Sequence, residues 1–117
     1  MADGFKSFNA NEMEWEEEPN EKVGRSLYKK RFIKDEETGV IVQVTKYPAG
    51  FINPNHKHPC AHGMYVLKGV LRTSRGDFKP GSFVWYPEGE AMWHGATEQE
   101  DVEVIFITNK KFVMNYL

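Results

Sequence analysis

Three of the four histidines in this chain of 117 residues, His56, His58 and His62, fall within seven positions, and the fourth is His94. Neutral imidazole is the commonest protein ligand for divalent transition metals. Successive side chains of an extended strand point to opposite faces, so His56 and His58 project to the same side two residues of rise apart, and His62 keeps their parity. Such a pair supplies two ligands to one ion without distorting the backbone. The competing reading is plain: a histidine in a strand is usually a surface residue or a satisfied core residue. The rest of the pattern favours a site. A second stretch, Gly81 to Gly89, reads as a strand closed by a Pro87-x-Gly89 turn, and His94 follows five residues later. One constellation then accounts for every histidine and asks for one divalent transition metal per chain. Fe, Mn, Ni, Co and Zn all suit imidazole, and their order of affinity gives the sequence no means of choosing.

The surrounding residues suggest a pocket. Cys60 shares the histidines' parity, but Pro59 beside it breaks regular pleating, so a small apolar filler is the simpler role than ligation. Met64 and Val66 are expected to line the interior deeper along the same strand, with Tyr65 and Leu67 on the other side. Phe83 and Trp85, or one register over Val84 and Tyr86, are expected to wall the pocket, with Met92 and Trp93 beside His94 at its mouth. As a group these residues imply an apolar space for a small-molecule substrate.

The elements that position these groups read as short strands. Ser26 to Ile33, Val40 to Tyr47, Gly63 to Lys68, Val70 to Thr73, Phe83 to Tyr86 and Val102 to Thr108 are rich in β-branched and aromatic residues and are divided by Gly, Pro and Asn turns. Lys110 to Leu117 adds an edge strand or covers an open end, and no long helical period appears. This is an all-β sandwich or barrel, and a small double-sheet jelly roll fits the strand count. Residues 1–22 differ in texture, with five glutamates crowded around Trp15, and read as an acidic, aromatic arm on a single domain spanning 23–117.

The two motifs resemble those of the cupins. The first cupin motif runs G-x5-H-x-H-x3/4-E-x6-G, and this chain has Gly50, His56, His58, His62 and Gly69 at those spacings, with His62 where the family usually has Glu. The second runs G-x5-P-x-G-x2-H-x3-N; here stand Gly81, Pro87, Gly89 and His94, the histidine two residues later than the commonest form and Thr97 near the place of the Asn. The resemblance implies a double-stranded β-helix, the cupin form of the jelly-roll barrel, with His56, His58, His62 and His94 as metal ligands. Four neutral imidazoles leave the ion more electron-poor than three imidazoles and a carboxylate would, and they remove a base from its side. By analogy with similar cupins, the expected activity is a dioxygenase-type oxidation of a small carbonyl or hydroxy-carbonyl compound chelated to the metal. A lyase, decarboxylase or isomerase step is the alternative, and a metal- or ligand-binding cupin without catalysis is a third.

Composition narrows the partners. Fifteen Lys and Arg against 17 Asp and Glu, a net charge of -2, argue against a nucleic-acid protein. No apolar run approaches the roughly 20 residues of a membrane helix. The amino terminus has no apolar signal core and the single cysteine can form no internal disulfide, so the expected compartment is the cytoplasm. The aromatic outward faces and the glutamate-rich arm suggest a homodimer.

Overall fold

The computed structural model describes residues 4–111 and 115–117. In chain order the strands are β1 (Glu16–Asn20), β2 (Arg25–Lys34), β3 (Ile41–Tyr47), β4 (Ile52–Lys57), β5 (His62–Lys68), β6 (Leu71–Thr73), β7 (Gly76–Phe78), β8 (Phe83–Tyr86), β9 (Met92–Ala96), β10 (Val102–Thr108) and β11 (Asn115–Tyr116). They form one sheet in the order β1-β2-β3-β10-β5-β8 and another in the order β11-β4-β9-β6-β7. Every recorded pairing is antiparallel. From β3 onward the chain crosses repeatedly between the two sheets, the winding of a jelly roll. The expected all-β fold is therefore present, as two facing sheets not joined into a closed barrel.

Alternation accounts for the core. In β10, Val102, Val104 and Phe106 turn inward and are buried, whereas Ile107 is partly exposed. In β5, Met64 and Val66 are buried, while Tyr65 and Leu67 face out as their parity requires. Phe51 and Leu71 complete the apolar filling from the second sheet's side.

Strand pairing begins at Glu16, inside the glutamate-rich segment. The reason lies in the strand opposite, where β2 carries Arg25, Lys29, Lys30 and Arg31. Glu16 pairs with Arg31 at 3.4 Å, Glu17 accepts a hydrogen bond from the Ser26 hydroxyl at 2.6 Å, and Glu18 pairs with Lys29. Opposite charges across the ladder let a run of glutamates lie in a strand. Ahead of β1, Phe8 stacks on Phe32 at 5.6 Å, and the ammonium groups of Lys30 and Lys46 stand 4.4 and 4.5 Å from the Trp15 ring centre. Among the described residues no helix is long and apolar enough to cross a membrane.

Candidate metal centre

The four histidines come from both sheets. Strand β4 pairs with β9 through Asn53↔His94 and His56↔Met92, one residue out of step, so a bulge falls on Pro54 and Asn55. Proline suits that place because it has no N–H to give to a ladder. The bulge has a direct consequence for the site. Asn53 and His56 are three residues apart and would face opposite sides of a regular strand, yet both are buried.

His58 lies just past the end of β4. The chain then bends at Pro59 and Cys60 and enters the first sheet, where His62 opens β5 opposite Tyr86 of β8. The expectation that all three histidines share one strand and one parity is thus corrected. They meet because the chain crosses between sheets. His94 sits in β9 between Asn53 on β4 and Thr73 on β6.

The rings form a packed cluster. Centroid separations are 4.9 Å for His56 and His58, 4.8 Å for His58 and His62, 5.0 Å for His56 and His94, and 6.2 Å for His62 and His94. Tyr86 and Phe106 pack against the His62 ring, each at 5.2 Å, and Tyr47 lies edge-on to His94 at 5.5 Å. None of the four is more than 2% exposed. Burial holds all of the affected imidazoles in the neutral form. His62 is pushed down to about 3 and His94 well below its ordinary value, first by desolvation and then by neighbouring histidines; His56 is lowered chiefly by desolvation.

A divalent ion fits this donor set chemically. Nε2 of His56 and both ring nitrogens of His62 and of His94 are buried without a hydrogen-bond partner, a costly arrangement unless something else engages them. Metal–nitrogen bonds of about 2.1 Å set imidazole centroids roughly 4.5–5.5 Å apart around one ion, and three of the four measured separations fall in that range. The rings are gathered rather than aimed: among the described residues no three His, Cys, Asp or Glu side chains are arranged as a ready-made ligand set. Binding an ion therefore requires ring rotation about the soft terminal torsion of histidine.

Beside the cluster is a cavity of about 120 Å³ lined by His58, His94, Asn53, Tyr47, Thr45, Gln43, Phe106, Leu27, Ile41, Lys29 and Glu18. It lies toward β1, β2 and β3. None of the six residues expected to line a pocket is among those lining this cavity. Met64 and Met92 are buried in the core, and Cys60 is buried at the bend with its thiol pushed up by desolvation. Phe83 and Trp85 are about half exposed on the outer face, because the pairing His62↔Tyr86 turns Tyr86 and Val84 inward instead. Trp93 takes the opposite parity to His94 and is only partly buried. The lining residues on β2 and β3 were missed, although a signal existed: Lys29 has the parity of the buried Leu27.

No curated protein matches the sequence. A family model described as the ChrR cupin-like domain matches residues 6–113. The chain belongs to the ChrR cupin-like family. Among solved structures, a cupin-like protein from Thermotoga maritima is 24% identical with a TM-score of 0.70, covering 79% of this chain and 76% of its own. The anti-sigma ChrR of Rhodobacter sphaeroides, determined in complex with SigE, is 18% identical with a TM-score of 0.67; this cupin covers 51% of that chain, and 86% of its own length is matched. A putative dioxygenase from Nostoc punctiforme is 14% identical with a TM-score of 0.81, matching 94% of this chain, which covers 40% of that one. At these identities the likeness establishes the fold.

Proposed function

We propose that this ChrR-like cupin is a metal-dependent enzyme in which His56, His58, His62 and His94 hold one divalent transition ion, and that it oxidises a small carbonyl or hydroxy-carbonyl compound with dioxygen. The observation that carries the reading is the buried cluster of neutral imidazoles opening, through His58 and His94, onto a cavity of small-molecule size. When bound, a redox-active ion supplies Lewis acidity toward a chelating carbonyl and electrons for dioxygen. The protein's own part is to hold the imidazoles neutral and to exclude water. His62 is fixed between Tyr86 and Phe106, and Leu27, Tyr47 and Phe106 give the cavity an apolar wall.

A specific observation favours a second reading. The matching family is described by ChrR, and the R. sphaeroides protein of that name is an anti-sigma factor, so the pocket would here bind a metal or small ligand without turning it over. Metal content separates the common premise from both readings. Close to one ion per chain is expected in the wild type and little in His58→Ala. Oxygen uptake by the loaded protein with a panel of charged and neutral carbonyl compounds then decides: uptake supports the oxidase, oxygen-independent product formation a lyase or isomerase, and binding without reaction the ligand-binding cupin.

A further inference from the structure

A lysine on the inner face of a sheet requires an explanation, because burial of an ammonium group is unfavourable unless a partner of opposite charge meets it. The Lys29 side chain is only 12% exposed. It points inward from β2, level with Thr45 of β3, and lines the same cavity as His58 and His94. Its partner is Glu18 of β1, a side chain 47% exposed. Beyond this pair lies a second cavity of about 290 Å³ that shares Glu18, Lys29, Ile41 and Gln43 with the first and adds Arg31 and Lys34. The ion pair therefore stands between the imidazole cavity and an outer space whose further charged groups are both basic.

The charge count of the site points the same way. Imidazole ligates a metal ion in its neutral form and the Lys29–Glu18 pair has no net charge, so an ion held by the histidines would bring two positive charges that no carboxylate among the four ligand positions offsets. A ligand that completes such a site is stabilised by being an anion.

We infer that the cavity takes an anionic carbonyl compound, a 2-oxo carboxylate in chemical class, whose carboxylate is received by Lys29 while Glu18 is the lysine's partner in the ligand-free protein. This rests on the metal-site reading for the carbonyl end and on Lys29 for the anionic end. Lys29 is a specificity-determining residue, and Glu18 competes with the ligand for it.

Two isosteric probes test this, pyruvate and its neutral counterpart butane-2,3-dione, with dissociation constants measured by calorimetry on the full chain at matched metal content. The wild type is expected to bind pyruvate about tenfold more tightly than the dione, the equivalent of one partly buried charge contact of about 1.4 kcal/mol. Lys29→Met reduces the preference several-fold and Lys29→Arg keeps it. Glu18→Gln, which frees the lysine, strengthens pyruvate binding several-fold and leaves the dione unchanged. A merely structural ion pair would weaken both probes in Lys29→Met and in Glu18→Gln, and that result overturns the inference, as does equal binding of the two probes by the wild type. Metal content is read separately in every sample, so an empty histidine cluster sinks the metal-site reading whatever the preference at Lys29.

Discussion

The Nδ1 atom of His56 lies 2.6 Å from the backbone carbonyl of Pro54. A carbonyl only accepts, so Nδ1 carries the proton and the lone pair is left on Nε2, the nitrogen that is buried without a hydrogen-bond partner. The bulge at Pro54 thus selects the tautomer and leaves Nε2 as the nitrogen with the available lone pair, as outer hydrogen bonds do for metal-binding histidines.

Loss of that imidazole should be felt in metal content before it is felt in fold. His56→Ala is expected to lower metal affinity by at least tenfold while the far-ultraviolet circular dichroism of the β-sheets is retained. Elemental analysis after dialysis against a weak chelator reads the first quantity. Full occupancy in the variant would remove His56 from the ligand set.

Metal and stability should be linked, because an ion that binds the native cluster and not the unfolded chain stabilises by mass action. At a free metal concentration one hundred times its dissociation constant the gain is about 2.7 kcal/mol. Thermal unfolding with and without chelator is expected to show a shift on the order of 10 °C. An unchanged midpoint for a metal that does bind would place it elsewhere.

Acid should destabilise the metal-free protein in a definite window. The folded-state values of His56, His62 and His94 are all depressed, so between the ordinary histidine value of 6.5 and the depressed ones the unfolded chain binds more protons. Stability therefore rises with pH through that range and is lost as pH falls below 6.5; for His62 the loss continues to about pH 3. That one residue contributes a slope of up to about 1.4 kcal/mol per pH unit. Urea unfolding from pH 7 to pH 4 should show it, and His62→Phe, which keeps a ring between Tyr86 and Phe106, should have a shallower dependence.

Strand β9 has no room for a side chain at Gly95. A Cβ there would stand 1.9 Å from the Phe51 carbonyl oxygen on the chain entering β4. Gly95→Ala must force β4 and β9 apart and move His94 away from His56. A destabilisation of about 2 kcal/mol or more is expected in denaturant titration, together with weaker metal binding. A variant as stable as the wild type would mean that the two strands yield more easily than their packing suggests.

Much of the architecture was legible because strand chemistry is local. The period-two alternation of Met64, Tyr65, Val66 and Leu67 told which side of β5 is inward, and turn residues such as Gly39, Pro48 and Gly69 marked where strands stop. The histidines were identifiable as one group from their count and spacing alone. How they meet was not legible, since the bulge at Pro54 and the crossing at Pro59 and Cys60 depend on partners in β9 and on the sheet that receives β5. The side from which the cluster is approached was equally hidden. Phe83 and Trp85 read as pocket walls as readily as Val84 and Tyr86 do, and only the register His62↔Tyr86 chose between the two sets. Lys29 and Glu18 are far from the histidines in sequence, and they reach the cavity because antiparallel pairing of β1, β2 and β3 lays their inner faces over it. By itself the sequence determined the strand chemistry and the candidate donor groups, which follow from residue type and period. The tertiary structure decided the cavity, its lining and its charge, because these arise from long-range register, which no local pattern encodes.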